Sequence, residues 1–364
     1  MPAPSRLRRG STGVLLALAA LLVLATLLPI VPHDAWWVRV FDYPRLQIAG
    51  AGALVLALYA ALRQRGRPAA DGLMAALLLA VGYQAVTIVP YTPLVEPEVV
   101  VTGDAEPEAT LSLLVANVLM ENRESARFLD IVRAYDPDLV LTLEPDAWWE
   151  GRLRALEAEY PHALKRPLDN TYGMVLHSRL PLLDARVKEL VEDSIPSMHA
   201  AVRLPSGHRV QLHFLHPDPP NPAYATRTTE RDGELLLVGR EVRQHGRPTV
   251  VAGDLNDVAW SRTTRLFQET SGLLDPRVGR GTYSTFHAGI PLLRWPLDHV
   301  FHSDHFTLVR LERGPAFGSD HFPIYAEIAV DPEAEWLQDA PAPSAEEVEE
   351  ATEAIREADP QEGL

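Results

Sequence analysis

Apolar residues crowd the first ninety positions of this chain and thereafter come in short, spaced blocks. Residues 13–31 (GVLLALAALLVLATLLPIV) are almost wholly apolar, residues 48–62 (IAGAGALVLALYAAL) are Gly- and Ala-rich, and residues 73–89 (LMAALLLAVGYQAVTIV) are apolar apart from Gln84. At about 1.5 Å per residue, some twenty such residues cross the hydrocarbon core of a bilayer. The pattern predicts a membrane region over residues 1–89 with three transmembrane helices. Arg6, Arg8 and Arg9 ahead of the first span would also suit a secretory leader. Two further spans follow, however, and no small-x-small cleavage site stands beyond Pro32.

The loops give these helices a direction. Arg63, Arg65 and Arg67 fall between spans two and three, on the same side as Arg6, Arg8 and Arg9. The loop between spans one and two holds Trp36, Trp37, Asp34 and Asp42 against Arg39 and Arg45, so it is less basic and interfacial in character. Positive-inside bias then places the N-terminus in the cytoplasm and everything after Val89 outside the cell (inner) membrane.

After residue 90 the periods shorten. Strands are predicted at residues 110–117, 138–143, 173–177, 187–192, 249–252 and 324–330, and the run 300–311 is likewise β-rich. Residues 200–204 and 209–215 pair around the turn at 205–208. Helical spacing marks residues 123–135 (Phe128, Ile131 and Val132 on one face), 148–160, and 228–245 with Leu235, Leu236, Val238 and Val242. Strands alternating with helices, mixed with hairpins, predict a two-sheet α/β sandwich over residues 110–330. Residues 90–109, rich in proline and acid, are expected to be a linker. Residues 331–364 (with APAPSAEEVEEATEAIREADPQE) are expected to be an acidic disordered tail carrying at most one transient helix.

Charge and composition narrow the chemistry. The net charge is −16, but it is unevenly spread. Residues 1–110 carry 8 basic and 8 acidic groups, residues 111–330 carry 24 and 29, and residues 331–364 carry 1 and 12. Most of the excess acid is therefore in the tail, and the middle segment is mildly acidic. A duplex-binding protein needs a basic face, which here would have to come from Arg123, Arg127, Arg262, Arg265, Arg277 and Arg280. No cysteine is present, so disulfides, zinc–thiolate sites and thiol nucleophiles are excluded. A metal would be held by carboxylate, amide or imidazole, a set suited to Mg²⁺ or Mn²⁺.

Three runs bring such groups to predicted strand ends: GDLN at residues 253–256, LDHV at 297–300 and GSDHFPI at 318–324. Each alone is ordinary. Gly-Asp-Leu-Asn makes an Asx-type turn after a strand, and Ser-Asp-His can cap an element. Taken in order with Asn117 in VANV, Glu144 in TLEPD, Ser178-Arg179 in HSRLP and His216 in LHPDP, the set resembles the endonuclease/exonuclease/phosphatase superfamily across residues 110–330. That superfamily includes deoxyribonuclease I, abasic-site endonucleases, bacterial sphingomyelinases and inositol-polyphosphate 5-phosphatases. The resemblance implies a four-layer α/β/β/α sandwich with one active site at the top of the two sheets.

It also implies roles. Glu144, Asn117 and Asp320 would hold a divalent metal. His321 would act as general base or polarise the phosphate, its tautomer fixed by Asp298. Asp254 would orient or deprotonate water, Asn256 would donate to a phosphoryl oxygen, and His216 would contact the phosphate or assist the leaving group. Arg179 and Ser319 are candidates for substrate binding, although Arg179 suits a bracing role better. His299 is expected to be structural, and the His299–His302–His305 set on a strand and turn is a weaker metal candidate. His162, His177, His199, His208, His213, His245, His287, His302 and His305 are expected at the surface or partly buried. Trp148, Trp149 and Trp260 are expected to pack rather than bind.

Some departures stand out. Leu143 occupies the place where nucleases of the superfamily often have Gln before the metal glutamate, and His216-Pro217 stands where abasic endonucleases have a tyrosine. Residues 281–300 resemble a membrane-attached bacterial subgroup with three N-terminal helices. The expected activity is metal-dependent hydrolysis of a phosphate ester, a phosphodiester of nucleic acid or of a lipid headgroup, with the membrane as the only other implied partner. The alternative is a non-catalytic, membrane-tethered binding module on the same scaffold.

Overall fold

In the computed structural model, which describes residues 6–62, 68–103, 105–221 and 226–359, the chain divides into two compact units, Met1–Pro90 and Tyr91–Leu364. The first contains α1 (Arg6–Leu27), the short α2 (Trp36–Arg39), α3 (Arg45–Leu62) and α4 (Pro68–Ile88). Three stretches, Ser11–Ile30, Arg45–Leu62 and Pro68–Tyr91, are long and apolar enough to cross a membrane. Ala19, Val55 and Leu77 are buried where the helices meet. Leu21, Leu54 and Leu79 point outward, so these helices are apolar on their exposed face as well as their packed one.

The polar residue inside the third stretch is satisfied. Gln84 Nε2 donates to Thr26 Oγ1 at 3.1 Å and its Oε1 accepts from Arg45 at 3.2 Å, while Arg45 also holds Asp42 at 2.5 Å. A polar group buried in apolar surroundings must find such partners. Arg63, Arg65 and Arg67, on which the expected orientation partly rests, lie outside the described residues, as do the side chains of Arg6, Arg8 and Arg9.

The second unit runs β1 (Thr110–Asn117), α5 (Ser125–Tyr135), β2 (Leu139–Leu143), α6 (Ala147–Leu153), β3 (His162–Arg166), β4 (Met174–Ser178) and β5 (Leu183–Lys188). It continues with β6 (Ser197–Arg203), β7 (Arg209–Leu215), α7 (Thr229–His245), β8 (Thr249–Asp254), α8 (Arg262–Ser271), β9 (Asp298–His302), β10 (Phe306–Arg313) and β11 (Ile324–Val330). Two helices close the chain, α9 (Ala334–Leu337) and α10 (Ala345–Ala358). One sheet has the order β10-β11-β1-β2-β4-β3 and the other β5-β6-β7-β8-β9. The central pairs β1–β2 and β7–β8 are parallel and every other pair is antiparallel.

Alternation along the strands builds the layers. On β1, Leu113 and Val115 enter the core between the sheets with Leu141, Leu212 and Phe214. Leu114 and Ala116 face the other way, against Phe128 and Val132 of α5 and Trp149 of α6. On the second sheet, Val251 and Phe301 face outward to Leu235 and Val238 of α7 and Phe267 of α8. The result is the four-layer α/β/β/α sandwich.

Several boundaries differ from those the periodicity predicts. The run 300–311 is two strands, because Ser303 and its neighbours turn the chain between β9 and β10. The helix expected over 148–160 stops at Leu153 and passes through a 3₁₀ turn, Arg154–Leu156. The strand expected at 187–192 starts earlier, as β5. The polar edge strand β3 and the helix α8 carry too few apolar residues to announce themselves.

Two larger expectations need correction. Residues 90–109 do not form a free linker. Tyr91 donates through its hydroxyl to Ala259 O at 2.6 Å, Glu98 accepts from Asp275 N at 2.7 Å, Val99 is fully buried in the inter-sheet core, and Val101 bridges Leu308. The apolar triplet Val99–Val101 inside a proline- and acid-rich stretch is enough to dock it. Nor is the acidic tail wholly disordered. α10 opens on a capping box between Ser344 and Glu347, buries Ala351 and Ile355 beside α7, and approaches so closely that a Cβ on Gly233 would lie 2.1 Å from that of Ala358. Ile355→Ala should lower stability by about 2 kcal/mol, as for other buried aliphatic truncations. An unchanged urea midpoint would show that α10 does not dock.

Candidate active site

The parallel pairs β1–β2 and β7–β8 each end at one edge of their sheet, and the chemistry-bearing residues stand at those ends: Asn117 closing β1, Glu144 after β2, His216 after β7 and Asp254 closing β8. Asp298 opens β9, opposite Asp254 in the antiparallel register. The turn before β11 brings in His321. Six loops distant in sequence therefore converge on a rigid frame. Glu144 and Asn256 both hold a left-handed backbone, with φ of 62° and 49°, a strained state that clusters at working loops. At Gly253 the backbone passes so close to β7 that a Cβ would sit 1.9 Å from Leu215 O; only glycine lets Asp254 reach its place.

One amide ties the two sheets together. Asn117 Nδ2 donates to Glu144 Oε1 at 2.7 Å and to Asp254 Oδ2 at 3.2 Å, while its Oδ1 accepts from Leu119 N at 3.0 Å. Asp254 also accepts from Asn256 N at 3.0 Å, and Asn256 Nδ2 donates to Pro217 O at 2.8 Å. His321 lies between two carboxylates: Nδ1 donates to Asp298 Oδ2 at 2.8 Å and Nε2 is 3.4 Å from Asp254 Oδ2. His216 Nε2 is 4.0 Å from Glu144 and 3.9 Å from Asp254, and its buried Nδ1 has no hydrogen-bond partner among the described residues.

These surroundings sort the protonation states. Burial pushes the His321 imidazole down, but the charges of Asp298 and Asp254 outweigh it and raise the group to about 10. His321 is therefore an imidazolium at neutral pH. Held between two carboxylates, the imidazolium is placed to stabilise charge, the phosphate-polarising one of the two roles the sequence offers it. Burial lowers His216 to about 4, so it is neutral. Burial, with Asp254 and Asp320 nearby, raises Glu144 to about 7. Negative charge is concentrated here beyond what His321 neutralises.

Supporting residues were less visible in the sequence. Arg231 donates to Asn256 O at 2.7 Å and lies 3.4 Å from Asp257, bracing the GDLN turn from α7. Asp275 grips Arg277, which donates to His299 Nδ1 at 2.6 Å, and His299 Nε2 donates to Asp257 O at 2.9 Å. His299 is thus a buried structural link, as expected. Tyr172 packs its ring 5.7 Å from that of His216 and hydrogen-bonds Asp218. Nothing in the spacing of Tyr172 or Arg231 signalled these contacts.

Two candidates fall outside the working set. Because β4 is antiparallel to β2, Ser178 pairs with Leu139 at the start of β2, and Arg179 lies at the opposite end of the sheet from Glu144. There it pairs with Asp136 and stacks on Tyr160 at 4.7 Å. Arg179→Ala should leave turnover within about twofold and cost under about 1 kcal/mol, the range for a half-exposed ion pair; a large loss of activity would contradict this placement. Ser319 is buried with its hydroxyl committed, donating to Asn117 O at 2.8 Å and accepting from His321 N at 3.0 Å. It positions the turn and has no role left in binding substrate.

The other expectations resolve similarly. Asp320 is half-buried beside the site and raises both Glu144 and His321. His177, His199, His213 and His302 are buried, more deeply than expected. The His299–His302–His305 set does not converge: His302 is tied to Ser303 O, and His305 to Ser303 Oγ and Glu335. Trp149 and Trp260 are core residues. The six arginines proposed for a basic groove are spent within the protein, with Arg277 on Asp275, Arg262 on Glu350, Arg123 on Asp146, Arg127 on Glu124, Arg280 on Val99 O and Arg265 on Ser261 O.

The family model described as the endonuclease/exonuclease/phosphatase family matches residues 114–321, more than half of the chain. No protein of curated function matches. Similar solved structures include an endonuclease/exonuclease/phosphatase from Beutenbergia cavernae DSM 12333 (19% identity, TM-score 0.50, covering 61% of this chain and 72% of that one). Another of the same description, from Bacteroides vulgatus, has 21% identity and a TM-score of 0.50 over 61% and 99%. The human Nocturnin catalytic domain with bound sulfate anion has 16% identity and a TM-score of 0.52 over 63% and 96%. At these identities the structures speak to the fold alone, and they agree with the two-sheet sandwich. The chain belongs to the endonuclease/exonuclease/phosphatase family.

Proposed function

We propose that this protein is a membrane-anchored, divalent-metal-dependent phosphoesterase that hydrolyses a phosphodiester on the extracytoplasmic side. The family is generally hydrolytic on phosphate esters. The observation that carries the reading is the row Asp298–His321–Asp254, a buried imidazolium held between two carboxylates at 2.8 and 3.4 Å.

A phosphodiester resists water because attack on phosphorus builds charge on its oxygens. The His321 imidazolium, fixed by Asp298, offers positive charge where that negative charge develops. Asp254, buried beside it, accepts the proton of the attacking water. Asn256 supplies amide polarity next to the phosphoryl group. His216, neutral and with Nδ1 lacking a protein partner, contacts the phosphate or the leaving oxygen.

The donor set fits a hard divalent ion: Glu144 and Asp320 offer carboxylate oxygens, and burial, with the charges of Asp254 and Asp320 beside it, raises Glu144, a penalty that a bound cation would relieve. Asn117 holds Glu144 through its Nδ2 and accepts from Leu119 N through its amide oxygen, whose second lone pair would remain for the ion. Mg²⁺ or Mn²⁺ held there supplies charge neutralisation at a phosphoryl oxygen. Three ligand-type atoms of Asp254, Asp298 and His321 also lie within 4.8 Å of one another, but both His321 nitrogens face carboxylates in that group, which makes it an ion pair.

A lipid headgroup is favoured over nucleic acid by one observation. Phe286 packs its ring 5.0 Å from His321, and the loop that follows leaves Ile290, Leu292 and Leu293 exposed. Hydrolysis of bis-(p-nitrophenyl) phosphate should appear with Mg²⁺ or Mn²⁺ and vanish with EDTA. Turnover of the natural substrate class separates the two sources, since nucleic-acid binding falls steeply with salt. Absence of hydrolysis with any metal, together with metal-induced stabilisation, would favour the binding module instead.

A further inference from the structure

The outer face of the second sheet carries a polar cavity of about 330 Å³ that the catalytic reading does not use. Val210, Leu212 and Phe214 of β7 face the inter-sheet core, so Arg209, Gln211 and His213 face outward. His213 is opposite His199 on β6, which in turn is opposite Arg186 on β5. α7 presents Glu241 and His245, four residues apart and so on one helical face, to the same space.

The cavity floor is a chain of hydrogen bonds with a defined direction. Ser197 Oγ gives its single proton to Lys188 O at 3.3 Å, so at 2.9 Å it accepts from His199 Nε2. Burial holds both His199 and His213 neutral, pushing them down to about 2 and about 4. His199 Nδ1 therefore carries no proton and accepts from His213 Nδ1 at 2.8 Å. A neutral imidazole has one N–H. His213 Nε2 is left as a bare acceptor with no hydrogen-bond partner among the described residues.

The rim is unexpectedly basic for a chain of net charge −16. Arg209 pairs with Asp184 at 2.5 Å and Lys188 with Glu241 at 3.6 Å. That accounts for both acids and leaves Arg186 and Arg247 without an ion pair among the described residues. Two guanidinium groups from opposite sides, the Gln211 amide and a lone-pair nitrogen surround the cavity. A planar carboxylate offers only two oxygens in one plane. A tetrahedral oxyanion that keeps one O–H can meet all four groups.

We propose that this cavity binds a hydrogen-phosphate-type anion, either inorganic phosphate or a small phosphate monoester, with charged oxygens on Arg186 and Arg247 and an O–H donating to His213 Nε2. Sulfate has no proton to give at neutral pH, so the bare nitrogen opposes it. The surplus positive rim likewise disfavours a divalent cation on His213, Glu241 and His245.

The full chain in detergent, with ¹⁵N-labelled histidine, provides the test, because the His213 Nε2 signal reports this cavity and not the catalytic site. Inorganic phosphate should move that signal, and sulfate should bind at least about tenfold more weakly, the worth of one charge-assisted hydrogen bond. Glycerol 3-phosphate distinguishes an ester ligand from the free ion. The surface double variant Arg186→Ala/Arg247→Ala should weaken the response at least about tenfold while leaving the His199–His213 resonances native. No phosphate-dependent shift, equal binding of sulfate, an undiminished response in the double variant, or a shift produced by Zn²⁺ alone would each overturn the assignment.

Discussion

His321→Ala is expected to lower turnover by about 10²–10⁴-fold with the fold intact, the range for losing a positioned proton-bearing or charge-stabilising group. The side chain is buried, yet its partners are two acids, so the variant removes a cation from a site rich in carboxylates. Turnover within tenfold of wild type would sink the mechanism. The pH profile carries a separate signature. With the folded-state value at about 10, activity should hold through mildly alkaline pH and fall as His321 loses its proton. Asp298→Asn removes the first of the two charges that raise His321 and should move that limb to lower pH. The linkage sign is consistent with this. A histidine raised above its unfolded value near 6.5 adds stability that is fully present below about pH 6.5 and is lost as pH rises through about 10.

Glu144→Gln should separate activity from stability. Turnover is expected to drop by orders of magnitude, because the carboxylate that anchors the proposed ion is gone. Without divalent metal, however, the variant should be the more stable protein at pH 8. Glu144 is raised to about 7 against a reference of 4.5, mainly by burial. A raised acid is a penalty that is absent below about pH 4.5, grows as pH rises, and is complete above about pH 7, where it reaches at most about 3–3.5 kcal/mol. Thermal unfolding in EDTA from pH 4 to 8 should show the wild type losing ground to the variant. Excess Mg²⁺ or Mn²⁺ should reverse the order by binding only the native wild type. Parallel pH curves in EDTA would mean that Glu144 carries no such strain, and equal metal stabilisation of both proteins would remove it from the ion's ligands.

The legible parts of this molecule are those whose periodicity is strong. β1, β7 and α7 were placed to within a residue or two, because buried alternation and helical spacing each leave a continuous trace. The site was legible where a motif ends a strand: GDLN puts Asp254 on the last residue of β8, and GSDHFPI delivers His321 to Asp298. What failed has identifiable causes. Arg179 was misplaced because a motif adjacent to a strand does not reveal which end of the sheet that strand reaches; only the antiparallel register of β4 on β2 does. Ser319 reads as a binding group in the sequence because a hydroxyl beside His321 looks available until its hydrogen bonds to Asn117 O and His321 N are seen. Composition hid the docking of residues 90–109 and of α10, where a few apolar side chains, Val99, Ala351 and Ile355, outweigh many charged neighbours. His321 as a cation depended on distances to two carboxylates that lie 23 and 67 residues away in sequence.

The pairing of β1 with β11, Thr110 opposite Ala329, bears on how the chain is made. During synthesis β1 and β2 emerge early, but the edge of β1 that β11 covers stays open until residues 324–330 are complete. Asp298 and His321 arrive just before that closing strand. The nascent domain thus passes most of its translation with an unpaired apolar strand, the kind of intermediate that aggregates or recruits chaperones. Such long-range closure also slows folding. The proposed site is complete only at the end of synthesis, so a prematurely terminated chain would lack it even when its earlier strands have formed.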